Sequence, residues 1–326
     1  MRALRAHDLI GPPGLWVDET PIPPQADQNA VRIGVHAAGI GFVDTLVTRG
    51  KYQIRQKPPY IPGMEVAGVV ESAPPGSVLT VGQRVYASLP VGGCAETVWA
   101  QPHLVAPLPD SLSAAQGAAM VVNDHTAYVA LVRRAAIRRG ESVLVHGAAG
   151  GLGSAAVRIA AALGARVTAV ASTPKRRAAA TAAGAHQVLG PDEWLETVRA
   201  HGGADIIIDP IGGDVFDTSL RALAQEGRLL TLGYVSGRIP TAQANRLLLR
   251  NCDVRGVNWG GLIAAHPGLF RSTADSLATL LDNGMPPPTT VKFDLENAAA
   301  AFTAIEHRNI IGKTVLLVRR TEAVAS

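Results

Sequence analysis

Ser142-Val-Leu-Val-His-Gly-Ala-Ala-Gly-Gly-Leu-Gly153 runs straight into Ser154-Ala-Ala-Val-Arg-Ile-Ala-Ala-Ala-Leu163, and this stretch sets the architecture of the chain. A short apolar run predicts a buried strand. The glycine-dense segment predicts a turn, and the Ala/Leu/Ile-rich segment behind it predicts a helix. A pyrophosphate site needs that order: glycines let backbone approach the phosphates, and a new helix aims free N–H groups and its positive dipole end at them. Gly147, Gly150 and Gly153 are spaced G-x-x-G-x-x-G, a departure from the commoner G-x-G-x-x-G. The alternative is an ordinary tight strand-to-helix turn.

About twenty residues on, the next apolar run, Arg166-Val-Thr-Ala-Val-Ala171, ends in Ser172-Thr-Pro-Lys175-Arg176-Arg177, with no acid before Asp192. A site selective for NAD usually places Asp or Glu here to hold the ribose 2′-hydroxyl. A hydroxyl with clustered cations suits a 2′-phosphate instead, through charge-assisted hydrogen bonds of roughly 1.5–3 kcal/mol each. The expected cofactor is NADP(H); a solvated basic start to the next helix is the bland reading.

Working outward, apolar runs at 142–145, 166–171, 187–189, 204–209, 228–232 and 252–257 alternate with Ala-rich helical stretches. That alternation predicts a doubly wound parallel sheet, an α/β fold. Gly212-Gly213 and Gly233 fall just past strand ends, where such sheets collect ligands. Residues 1–117 read differently, as short strands broken by Gly and Pro: Val31–Val35, Val66–Val70 and Gln83–Ala87. This predicts a mostly β domain. After about residue 261 comes a helix-like stretch, Pro286-Pro-Pro288, a short Thr289–Phe293 strand and a final strand Thr314–Val318, so the tail is expected to rejoin the first domain.

The chain's 326 residues make two domains the default. With 47% hydrophobic and 17% charged residues it is expected to be globular. No apolar run reaches the roughly 18 residues of a membrane span. The start, Met1–Asp8, carries an acid and no long apolar core, so a secretory signal is not expected and a cytoplasmic location is. The net charge of +4 suits an anionic partner, yet the cations are scattered and no nucleic-acid-binding motif is present. Cys94 and Cys252 are too few for a disulfide framework or a zinc lobe and read as packing residues. His146 at a strand end reads as structural, and the adjacent Asp124 and His125 point in different directions on a helix start rather than forming a dyad.

Taken together, the motifs resemble the medium-chain dehydrogenase/reductase superfamily and, within it, the zinc-free quinone oxidoreductases related to zeta-crystallin. The resemblance covers essentially the whole chain. It is carried by Gly63-Met-Glu-Val-Ala-Gly-Val-Val70, Gly82-Gln-Arg-Val85, Gly93-Cys-Ala-Glu96, Val122-Asn-Asp-His-Thr-Ala-Tyr128, the 145–153 turn, Asp209-Pro-Ile-Gly-Gly213, Gly227–Gly233 and Gly312-Lys-Thr-Val315. It implies a Rossmann NADP(H)-binding domain over 123–260 and a GroES-like substrate domain made of 1–122 with 261–326. Zinc-dependent relatives carry a cysteine where Gly41 stands and a histidine where Met64 precedes Glu65; glycine has no ligating side chain and methionine is a poor zinc ligand. The resemblance therefore implies hydride transfer from NADPH to a quinone without zinc. Reduction of an enone, 2-alkenal or enoyl thioester is the near alternative, and a non-catalytic NADPH-binding or RNA-binding crystallin-like role the distant one.

By the same resemblance Gly150, Gly151, Leu152 and Gly153 lie against the pyrophosphate, and Ser172, Lys175 and Arg176 surround the 2′-phosphate. Gly233, Tyr234, Val235 and Ser236 form the nicotinamide-side wall, Asn123 and Thr126 lie near that ring, and Asn258 and Lys313 are late contacts, Lys313 to a phosphate or ribose. Tyr52 matches an aromatic position near the acceptor, where it would orient substrate or donate a proton. Asp44 is read as organising the turn around Thr45, and Gly190 stands where relatives often have a tyrosine beside the 2′-phosphate. A small-molecule acceptor and a homodimer through edge strands near Val254–Gly260 complete the expectation.

Overall fold

The structure, a computed structural model, describes residues 1–25, 27–53 and 55–319. The chain forms two compact units. One comprises Met1–Val122, His266–Ala274 and the chain from Pro287 onward; the other comprises Asn123–Ala265 and Asp275–Pro286. The sequence reading divides the chain after residues 122 and 260. The return comes at 266 rather than 261, and 275–286 go back to the second unit. The helix Leu269–Asp282 is divided accordingly. Its Phe270 packs against Tyr86 of the first unit, ring centroids 6.0 Å apart, whereas Pro286 O accepts a hydrogen bond from Arg158 of the second at 2.9 Å. The last seven residues of the expected 261–326 range lie outside the described residues.

The second unit is a six-stranded, wholly parallel sheet in the order Gln187–Leu189, Arg166–Val170, Ser142–Val145, Ala204–Asp209, Leu223–Thr231, Asp253–Gly256. Continuous apolar runs build the central strands because helices cover a parallel sheet on both faces. Val143 to Val145 and Ile206 to Ile208 are buried, each large side chain contributing roughly 1.5–3 kcal/mol by leaving water. Strand 142–145 is the starting strand: the chain winds outward from it on one side, then returns to wind outward on the other. That reversal is the topological switch point where ligands of such sheets bind, beyond the carboxyl ends of the strands.

The first unit is a seven-stranded sheet, antiparallel except for one parallel pair, ordered Thr290–Asp294, Lys313–Leu317, Val31–Ile40, Glu65–Ser72, Arg84–Ser88, Val105–Pro107, with Thr97–Ala100 also paired to 31–40. Its core gathers Ile33, Val35, Val66, Val85, Phe302 and Leu316. The carboxyl-terminal strand 313–317 thus completes a sheet begun near the amino terminus. Among the described residues no helix is long and apolar enough to cross a membrane.

Candidate functional site

Strand 142–145 hands the chain to a turn in which Gly147 adopts φ +60°, a left-handed conformation that glycine takes without steric cost. Helix Gly151–Ala162 begins immediately after, with Gly150 as its N-cap. No side chain caps this helix and no acid sits in its first turn, so its leading N–H groups and positive dipole end are left for an outside anion. The glycines differ in what they allow. A Cβ on Gly153 would lie 2.2 Å from Gly147 O, so this glycine closes the turn. A Cβ on Gly150 would meet only Gly147 O, at 3.4 Å, so its outer side is open.

Strand 166–170 delivers Ser172 and the helix Pro174–Ala182, capped by the Thr173 hydroxyl, which accepts from Arg176 N at 3.3 Å. Ser172 and Lys175 are exposed and Arg176 is half-buried. Arg177 donates to Ser172 O at 3.3 Å, tying this cationic edge to the strand end. Gly190 lies nearby: a Cβ there would fall 3.1 Å from Glu193 Oε1 and 3.9 Å from Arg177 Nη1. Glu193 accepts from Gly190 N at 2.6 Å.

Two further strand ends build a loop pair. The enclosed Asp209 side chain accepts from Ile211 N at 2.8 Å and Gly212 N at 3.0 Å, and burial raises its carboxyl above the usual range. Val235 N donates to Pro210 O and Ser236 N to Ile211 O, at 3.2 and 2.9 Å. Gly212 and Gly213 have φ of +69° and +58°, and a Cβ on either would strike Tyr234 or Ser236 at 2.8 Å. The pair Gly212-Gly213 is therefore required both by conformation and by close approach. Gly233 to Ser236 sit together on this loop, with Tyr234 partly exposed.

Asn123 and Thr126 lie one turn apart on the helix Ala114–Tyr128, and so on one face. Asp124 and His125 are turned inward. Asp124 takes a two-pronged ion pair from buried Arg158 at 2.6 and 2.7 Å, and His125 packs on Trp259. His146 is also structural: Nε2 meets Ser219 Oγ at 2.8 Å, Trp194 stands edge-on to the ring, and burial pulls its pKa down to about 3. Asn258 Oδ1 accepts from Gly261 N at 3.1 Å at the start of the helix Trp259–Ala265.

In the first unit, Tyr52 is half-buried. Burial and then the charge of Asp44 raise its hydroxyl pKa. Asp44 opens the helix Phe42–Thr48, its Oδ2 accepting from Gly41 N at 2.8 Å, while Thr45 Oγ1 donates to Phe42 O at 2.7 Å. Burial pushes the Asp44 carboxyl up to about 6, against the opposing Gly41 hydrogen bond and Lys313 charge. Lys313 is 4% exposed, and its ammonium is paired with Glu65, itself 2% exposed. The other Glu65 oxygen accepts from Val122 N at 2.9 Å. Where a phosphate or ribose partner is expected at Lys313, the structure places a buried ion pair.

The chain matches two family models, the alcohol dehydrogenase GroES-like domain over residues 27–131 and the zinc-binding dehydrogenase over 151–277. Human quinone oxidoreductase is 33% identical over 98% of this chain and 98% of its own. Among solved structures, the quinone oxidoreductase of Thermus thermophilus, determined also with NADPH, superposes with TM-score 0.82 at 37% identity over 97% of this chain and 100% of that one. The Escherichia coli quinone oxidoreductase complexed with NADPH gives TM-score 0.88 at 26% identity over 97% and 100%. The chain belongs to the quinone oxidoreductase family of medium-chain dehydrogenases/reductases. It is an oxidoreductase built from a Rossmann unit and a GroES-like unit.

Within this family frame, the glycine turn, Ser172–Arg176, Asn123, Thr126 and the 233–236 loop all fall in the Rossmann unit, and Tyr52 and Lys313 in the GroES-like unit. Three residues escaped the sequence reading. Asp209, which holds the 211–212 turn, had a signal in its position just before Pro-Ile-Gly-Gly. Glu193 had none beyond being the first acid after Asp192. The Glu65 partnership with Lys313 had none, since 248 residues separate the two.

Proposed function

We propose that the protein is an NADPH-dependent reductase that passes a hydride to a quinone without zinc. The observation that carries this reading is the glycine turn, whose Gly150 side lies open before a helix head that no side chain caps. Backbone N–H groups of Gly151, Leu152 and Gly153 suit the pyrophosphate. Ser172, Lys175 and Arg176 suit the 2′-phosphate, and Gly233, Tyr234, Val235 and Ser236 the nicotinamide side, with Asn123 and Thr126 completing the set. The names of the Thermus and Escherichia structures, both with NADPH, support the same choice. Asn258 joins through the stretch it caps, and Lys313, in the GroES-like unit and paired with Glu65, is not assigned to the cofactor. When bound, NADPH supplies the hydride. The chain's own part is to hold the cofactor and acceptor in register and exclude water.

The residues at the position where zinc-dependent relatives bind metal do not fit that ion. Gly41 and Met64 offer no suitable ligand, and the Lys313 ammonium stands 3.2 Å from where a Gly41 side chain would begin. Tyr52 is proposed to orient the acceptor. A homodimer through the edge strand Asp253–Gly256 belongs to the same proposal. The test is anaerobic NADPH oxidation, followed by nicotinamide absorbance, with an ortho-quinone and a simple enone in parallel. Quinone turnover is expected. Turnover of the enone alone would move the chain to the alkene reductases, and turnover of neither would overturn the reading.

A further inference from the structure

The register of the first unit brings three charged side chains together beside a glycine. Strand 31–40 lies between two partners: Thr314 pairs with Ile40, which puts Lys313 across from Gly41, and Glu65 pairs with Gly39. Positions 39 and 41 lie on one face of a pleated strand, so the side chains opposite them share that face. Neither glycine has a side chain to separate them, and Lys313 and Glu65 meet across the intervening strand. Gly312, at φ +85° against Thr289 O, fixes where Lys313 starts.

A Cβ at Gly41 would lie 3.2 Å from Lys313 Nζ, 3.7 Å from Asp44 Oδ2 and 3.9 Å from Glu65 Oε1. Gly41 itself is only partly buried, whereas Lys313, Asp44 and Glu65 are enclosed. Gly41 is thus the partly exposed member of this group, and it sets no side chain in front of the ammonium. A lysine ammonium carries three N–H donors, and the Glu65 contact engages one side of it. The two carboxylates offset the cost of enclosing the charge.

We propose that Lys313 presents its ammonium, through the gap left by the missing side chain of Gly41, to the carbonyl oxygen of the acceptor. This rests on the quinone or enone reductase reading and adds to it the group that meets the developing charge. Two electrons pass to the acceptor with the hydride and leave the dihydronicotinamide oxidised. The negative charge left on the acceptor oxygen is held by the Lys313 hydrogen bond until a solvent proton neutralises it, and Lys313 keeps its own proton. Donors aimed at such an oxyanion in an enclosed site act where charge appears in the transition state.

The test uses the full-length protein and para-nitrophenolate, a stable oxyanion resembling a hydroquinone monoanion, whose absorption band shifts on hydrogen bonding. The wild type is expected to bind and shift it without cofactor. Lys313→Met and Gly41→Ala should each weaken that binding roughly tenfold or more while NADPH affinity, read by fluorescence, stays unchanged. In turnover, Lys313→Met should lose roughly a hundredfold in kcat, and added methylammonium should restore part of it, which a merely structural lysine would not allow. Gly41→Ala has a permitted backbone, φ −125°, and sets a methyl group 3.2 Å from the ammonium while leaving Lys313 and Glu65 in place, so it carries the test if the lysine variant fails to fold. Unchanged phenolate affinity and kcat in both variants, or no phenolate binding by the wild type, overturns the assignment. Loss of phenolate binding in the variants of a protein that oxidises NADPH with neither acceptor would support the lysine assignment and sink the reductase reading alone.

Discussion

Asp44 and His146 are both enclosed, and burial moves their proton affinities in opposite directions, to about 6 and about 3. For Asp44 the folded state binds its proton more tightly than the unfolded chain. Its contribution to stability is full below about pH 4 and lost as pH rises through 6. The groups facing it are Lys313, Glu65, Tyr52, Tyr60 and Cys94. For His146 the sign reverses: its contribution is full above about pH 6.5 and lost as pH falls toward 3. Between about pH 4 and 6 the two slopes offset each other. Asp44→Asn should therefore make urea stability climb with pH across that window by on the order of 2–3 kcal/mol more than wild type, and His146→Gln should make it fall. Parallel pH profiles for all three proteins would refute this account. Two glycines make a second contrast. Gly150→Val fits the backbone, φ −82°, and meets nothing but Gly147 O, so it should leave the melting temperature almost unchanged and abolish NADPH binding. Gly153→Ala has no room and should destabilise the fold itself.

At the scale of elements, the helix Pro174–Ala182 brings Lys175 to an exposed edge and Arg176 to a half-buried one. Lys175→Ala should weaken NADPH binding by roughly tenfold and leave NADH binding unaltered, with the difference shrinking in high salt because the contact is screened. Equal losses for both cofactors, measured by titration, would remove the 2′-phosphate from this edge. Strands 142–145, 187–189 and 204–209 were readable to the residue, because each is an apolar run bounded by polar or glycine positions. Strand 31–40 was read only to Val35: His36-Ala-Ala-Gly39 has small residues and no alternation, and pairing on both sides supplies what propensity lacks. Strand Leu223–Thr231 likewise begins before residue 228, across a register shift opposite Ala204 and Ile206 that no local pattern encodes. The glycine turn and its basic neighbour were legible because strand, turn and helix follow in unbroken sequence. The Lys313–Glu65 meeting was not, since it depends on register across three strands far apart in the chain.

At the scale of the whole molecule, Arg158–Asp124 is the most enclosed ion pair among the described residues, at 3% and 1% exposure. It joins the helix 151–162 to the helix 114–128 and reaches on to Pro286 O. Asp124→Ala leaves that guanidinium without its carboxylate and should cost about 3–5 kcal/mol in denaturant unfolding. Substituting both partners with apolar residues should recover much of it. A loss below about 1 kcal/mol would mean the pair is a bystander. The chain's order of synthesis is constrained by another feature, the pairing of strand 313–317 with strand 31–40. While a ribosome adds roughly 5–20 residues per second, strand 31–40 waits on the order of ten seconds to a minute with that flank unmatched. Every residue of the nested Rossmann unit is made before strand 313–317, so the unit that begins second is free to finish first, and the first unit carries an open strand edge, the kind that invites aggregation, until strand 313–317 arrives to close it.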